Sequence, residues 1–161
     1  MLTLDKPHYS WKSVLQNNQT YIQFLEIFLQ CNNIRSVIDL GCGDWSFSRF
    51  IQWGNIQYLG IDMIQPVITK NLNEFAARNI RFLHADALAI DLPKADLLLC
   101  KDVLHCWPHE KIAQIVGQFD RFSHCLITHS THTELPFSLN ALKVLTYHTE
   151  NDSKQVLYLR K

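Results

Sequence analysis

The sequence predicts an α/β domain with a doubly wound, mostly parallel sheet of seven strands that ends in an antiparallel hairpin. Three observations predict it. Short apolar runs alternate with stretches of helical periodicity from about Gln19 to His129, as crossover connections between parallel strands require. One run, Asp96-Leu97-Leu98-Leu99, is apolar enough for the middle of a sheet covered on both faces. The last segments, Lys143 to His148 and Gln155 to Leu159, alternate around the turn residues Glu150-Asn151-Asp152-Ser153, the pattern of a hairpin closing the sheet edge.

In chain order, Ile22, Leu25, Phe28 and Leu29 recur at helical spacing and mark a lead-in helix from about Gln19 to Cys31. Before it, Tyr9-Ser10-Trp11 forms either a lid over a ligand or a segment docked on that helix. Arg35 to Leu40 is a buried strand. Phe47, Phe50 and Ile51 then predict a helix from about Asp44 to Trp53. Gln57 to Asp62 is the second strand, and Ile64, Val67, Ile68, Leu72 and Phe75 line the next helix with Pro66 in its first turn. Ile80 to Leu83 and Ala95 to Cys100 are the third and fourth strands. Pro108 opens a helix whose Ile112, Ile115, Val116 and Phe119 face inward, and His124 to His129 is the fifth strand. A short helical turn is expected over Leu135 to Leu139. Residues 1–161 form a single domain, with 1–33 as the helical lead-in and 34–161 as the core, a length that suits one hydrophobic core.

Composition narrows the function classes. Fifteen basic residues balance fifteen acidic ones, and no basic run supplies the positive stripe that nucleic-acid binding requires. The start of the chain has no signal-peptide core and no apolar run spans a bilayer, which points to a cytoplasmic protein without a membrane partner. Five cysteines, odd in number and without CxxC spacing, read as buried free thiols. The eight histidines include His105 and His109, and His129 and His132, but Pro108 breaks the first pair and no shell is complete, so no metal site is expected.

The chemistry concentrates at Val37-Ile38-Asp39-Leu40-Gly41-Cys42-Gly43-Asp44-Trp45-Ser46, a strand entering a Gly-x-Gly turn flanked by carboxylates. Gly41 and Gly43 allow a tight turn and close approach of a ligand to the main chain. Ser46 stands where a dinucleotide fingerprint has its third glycine. Asp44, at the expected helix N-terminus, is either an N-cap or a charge that competes with phosphate. With Asp39, it favours a ligand carrying ammonium or sulfonium charge.

These residues resemble the class I S-adenosylmethionine-dependent methyltransferases, from about Ile22 to Arg160. The resemblance implies their Rossmann-like fold, with the last strand inserted antiparallel, and S-adenosyl-L-methionine as cofactor. Asp39-Leu40-Gly41-Cys42-Gly43 is similar to the family's glycine loop. Asp62, followed by Met63, matches the acidic residue that accepts both ribose hydroxyls. His84-Ala85-Asp86-Ala87-Leu88 is similar to the motif in which Asp86 would receive the adenine amino group and the Ala87 N–H would meet the ring edge. Asp96 to His105 looks like the fourth-strand motif beside the methyl donor and acceptor, which brings Lys101 to the cofactor and Asp102 and His105 to the acceptor, His105 as the candidate base. Each strand-terminal aspartate also has a plain structural reading as a cap or loop anchor, and Trp107 is either a cleft wall or packing under Pro108.

Large insertions are absent. The acceptor would therefore be a small molecule or an exposed protein side chain, unless a homo-oligomer completes the pocket or the activity is lost. Two other readings stand beside methyl transfer: a cofactor-binding protein without transfer activity, acting as sensor or partner subunit, and a nicotinamide-dependent oxidoreductase.

Overall fold

A computed structural model describes residues 11–135 and 140–160. Seven strands, β1 (Ser36–Leu40), β2 (Gln57–Asp62), β3 (Ile80–His84), β4 (Ala95–Lys101), β5 (Phe122–Ser130), β6 (Leu142–His148) and β7 (Ser153–Arg160), form one sheet of order β3-β2-β1-β4-β5-β7-β6. β3 through β5 are mutually parallel, and β7 is inserted antiparallel between β5 and the edge strand β6. Among the described residues three α-helices accompany them: α1 (Trp11–Cys31), α2 (Gln65–Glu74) and α3 (His109–Val116).

Alternation along the strands sends successive side chains to opposite faces and builds two cores. On one face Val37, Tyr58, Phe82, Leu97, Leu99 and Leu126 pack against Tyr21, Ile22, Leu25 and Leu29 of α1 and Ile68 of α2. On the other, Ile38, Ile61, Leu98, Cys100 and Ile127 pack against Ile112 and Ile115 of α3. The sheet order reverses between β1 and β4, which opens a crevice at their carboxyl ends.

The strands fall within two residues of their expected ends, but two connections differ. No α-helix follows β1: the region expected to be helical from Asp44 to Trp53 is a series of turns with one 3₁₀ turn over Ser48–Phe50. Gly41, Gly43 and Trp45 all have positive φ, at 70°, 56° and 58°, and left-handed residues this close together prevent an i→i+4 ladder from starting. Of the apolar stripe, Ile51 is buried and Phe47 and Phe50 are half-buried against the same core, which Trp45, packed against Tyr58, Phe75 and Phe82, and Trp53 also enter. α1 is also longer than its periodicity suggests: the polar stretch Gln16 to Thr20 continues the helix, with Leu15 still reaching the core. Tyr9 and most of the turn expected over Leu135 to Leu139 lie outside the described residues, and Trp11 is the exposed first residue of α1.

Candidate functional site

Four carboxylates project from the carboxyl ends of consecutive neighbours in the sheet, or from the loops just beyond them: Asp39 of β1, Asp62 of β2, Asp86 after β3 and Asp102 after β4. A cleft of about 300 Å³ opens among the last three, lined by Leu40, Gly41, Ile61, Asp62, Met63, Ile64, Ala85, Asp86, Ala87, Asp102, Val103, Cys106 and Trp107. Its lining is mainly apolar with a few carboxylates, the usual character of a small-molecule site.

The glycine loop is tied down at each peptide. The Gly41 and Cys42 N–H groups donate to the Ile61 carbonyl at 2.8 and 3.2 Å, and the Gly43 N–H donates to Asp62 Oδ2 at 3.0 Å. Asp62 Oδ1 accepts from the Ile64 N–H at 2.9 Å, so this one carboxylate joins the loop to the start of α2. Each carboxylate oxygen keeps a further lone pair for an outside donor. A β-carbon on Gly41 would come within 2.3 Å of Val103 Cγ2, whereas one on Gly43 would meet nothing within 4 Å. Open space therefore lies beside Gly43. Asp44 caps no helix: its Oδ1 accepts from the Ser46 N–H at 3.1 Å in a local turn, which removes the helix-dipole argument against phosphate and leaves only its negative charge.

Asp39 lies beneath the loop, 5% exposed, and accepts from the Tyr58 hydroxyl at 2.6 Å. Burial pushes its carboxyl up to about 6, although the Tyr58 hydrogen bond and the Lys101 charge pull the other way. The native state then holds the proton more tightly than the unfolded chain does. This contribution to stability is full below the usual carboxylate range and is lost as pH rises through about 6. Asp39→Asn is expected to stabilise the ligand-free protein at pH 7 by on the order of 2 kcal/mol and to have little effect near pH 4. Urea denaturation at the two pH values checks this, and a loss of stability at pH 7 would show that Lys101 outweighs desolvation.

Asp102 has φ 58° and donates its N–H to the Thr128 carbonyl at 2.8 Å. Its oxygens are held by Lys101 Nζ at 2.7 Å and Lys154 Nζ at 2.9 Å, and Lys154 also reaches Asp152 at 3.0 Å. Burial would raise the Asp102 carboxyl, but the two ammonium groups outweigh it and hold it below the usual range. Lys101 in turn lies over the rings of Tyr21 and Phe47 at 5.7 and 5.1 Å.

Of the residues singled out in the sequence, Gly41, Asp62, Met63, Asp86, Ala87 and Asp102 line the cleft together, and Trp107 is one of its walls. Asp39, Cys42, Gly43 and Lys101 surround the loop without lining that cleft. Cys42 is buried against Gly60, where a β-carbon would meet its Sγ at 2.8 Å. His105 is exposed on a 3₁₀ turn over Leu104–Cys106, next to the cleft-lining Cys106. Asp86 Oδ1 accepts from the Leu88 N–H at 2.9 Å, the same local turn that Asp44 makes. Sequence reasoning missed Val103, Lys154 and Asn71. Val103 lies within the fourth-strand motif Asp96 to His105 but was given no role there, whereas Lys154 and Asn71 carry no local signal.

The profile of the family described as "Methyltransferase domain" matches residues 37–124, more than half of the chain and every strand of the crevice. The chain belongs to this family. An uncharacterized methyltransferase of Mycobacterium tuberculosis is 27% identical over 104 residues, covering 63% of this chain and 49% of its own length, so the chain spans about half the length of the curated relatives it matches. The fold is shared with N-methyltransferase NodS from Bradyrhizobium japonicum WM9, crystallised with S-adenosyl-L-homocysteine (TM-score 0.72, 12% identity, 98% of this chain and 89% of that one). It is also shared with magnesium protoporphyrin IX methyltransferase from Synechocystis PCC 6803, crystallised with bound SAM (TM-score 0.69, 16% identity, 95% and 84%). Among the described residues of this methyltransferase domain, no helix is long and apolar enough to cross a membrane.

Proposed function

We propose that the cleft binds S-adenosylmethionine and that the protein transfers its methyl group to a small molecule or an exposed protein side chain. The observation that carries the reading is the row of carboxylates along the crevice, Asp62 and Asp86 in the apolar cleft and Asp39 buried under the glycine loop. A ligand with an aromatic amine, a diol and an ammonium group in series matches the order Asp86, Asp62, Asp39 across β3, β2 and β1. The family membership and the ligands of the structurally similar enzymes support the same assignment.

The cleft fits the adenosine half. Asp62 offers lone pairs to two vicinal hydroxyls while its backbone contacts hold it in place. Asp86 accepts from an exocyclic amine, the Ala87 N–H meets the ring edge, and Ile61, Met63 and Val103 supply apolar walls. Met63 is 63% exposed and Ile64 53%, and a bound ring would cover both. At the other end Asp39 faces an ammonium group and Lys101 a carboxylate, each in low-dielectric surroundings that strengthen the contact.

When bound, the cofactor supplies an electrophilic methyl group on a sulfonium that leaves readily. The protein's part is then alignment and exclusion of water more than acid-base work. Asp102, with both oxygens held by ammonium groups, is a weak base, and it anchors Lys101 and the chain beyond β4. His105, exposed beside the cleft-lining Cys106, is then the candidate base for an acceptor that must lose a proton.

Incubation with labelled S-adenosylmethionine and a panel of amine, hydroxyl and carboxylate acceptors tests the proposal. Formation of S-adenosylhomocysteine together with a methylated acceptor is the expected result. Tight binding without turnover across the panel would assign a sensor or partner subunit instead.

A further inference from the structure

Asn71 is fully buried in α2, 0% exposed, and donates from Nδ2 to the Gly43 carbonyl at 2.7 Å. Its Oδ1 has no hydrogen-bond partner among the described residues. Asparagine is a poor helix former, and a buried amide with one end unpaired is costly where leucine would pack at no such cost. The helix gains nothing from this side chain, but the glycine loop does. Gly43 has φ 56°, a conformation that nothing in its own chemistry makes preferred over its alternatives. Its own peptide groups are held from both sides: the N–H by Asp62 and the carbonyl by Asn71.

We propose that Asn71 is a positioning residue that presets the glycine loop for the amino-acid end of the cofactor. This rests on the functional reading above. The two grips differ in what else they hold. Asp62 has a second tether, the Ile64 N–H at 2.9 Å, so it keeps its place in the adenosine cleft when the loop loosens. The Asn71 side chain bonds only the loop, and neither Asn71 nor Gly43 lines that cleft. Loss of Asn71 therefore releases the segment beside Asp39 and Lys101 and leaves the adenosine contacts intact.

The test compares S-adenosylhomocysteine with 5′-methylthioadenosine, which lacks the amino-acid end, on the wild type and on Asn71→Leu, with Asn71→Ala as a second variant should leucine perturb folding. Leucine removes the unpaired amide, so the melting temperature is expected to hold or rise. Affinity for S-adenosylhomocysteine is expected to fall about tenfold, the upper range for one hydrogen bond, with affinity for 5′-methylthioadenosine unchanged. A folded variant with unchanged S-adenosylhomocysteine affinity, or an equal loss for both ligands, would overturn the proposal, the second outcome indicating a purely structural role. A wild-type protein that binds neither ligand would overturn the functional reading and this inference with it.

Discussion

Asp62→Ala is expected to weaken S-adenosylhomocysteine binding on the order of a hundredfold, the largest effect of any single cleft substitution. A hydrogen bond to a charged acceptor contributes about 1.5 to 3 kcal/mol, and each 1.4 kcal/mol is about a factor of ten in affinity. The diol contact alone would place the loss near the low end. The structure adds a second effect, because Asp62 also accepts from the Gly43 and Ile64 N–H groups and alanine releases both. Asp62→Asn separates the two. It keeps one acceptor oxygen but turns a donor toward one of these N–H groups, so its loss is expected to be intermediate, about tenfold. Calorimetry that finds wild-type affinity in Asp62→Ala would remove Asp62 from the site.

Gly41→Ala is expected to destabilise the fold by about 2 to 5 kcal/mol, a large share of the stability of an ordinary domain. Two costs add. Alanine at φ 70° carries roughly 1–2 kcal/mol of left-handed strain, and its methyl would come within 2.3 Å of Val103 Cγ2, an overpacking cost of about 1–3 kcal/mol. Gly43→Ala isolates the first, since its φ is 56° and its methyl would meet nothing within 4 Å. Urea denaturation is expected to show a cost of about 1–2 kcal/mol for Gly43→Ala, a larger one for Gly41→Ala, and partial recovery in the Gly41→Ala/Val103→Ala double variant. Equal costs at the two glycines would mean that Val103 yields freely and does not press on the loop.

The strands were legible in the sequence because burial on both faces leaves apolar runs inside β1 and β4, Val37-Ile38 and Leu97-Leu98-Leu99-Cys100, and the terminal hairpin because alternation and a polar turn coincide. The region after Gly43 was not. Phe47, Phe50 and Ile51 have helical spacing, but the left-handed Trp45 that breaks the ladder gives no warning in the sequence, since tryptophan rarely adopts such a φ. In the site, the local motifs around Gly41, Asp62 and Asp86 could be read because each occupies one strand end. What holds them could not: Lys154 reaches Asp102 across 52 positions and Asn71 reaches Gly43 across 28, contacts that tertiary packing alone creates. The pairing of Asp102 was illegible for the same reason, since the lysine that completes it comes from β7.

Titration of the purified protein with S-adenosylhomocysteine, with NAD as the comparison, tests the central claim most directly. The row of carboxylates at the crevice predicts saturable one-to-one binding of S-adenosylhomocysteine, weaker below about pH 6 as Asp39 takes up its proton, and no binding of NAD. Binding of NAD without S-adenosylhomocysteine, or of neither, would contradict it.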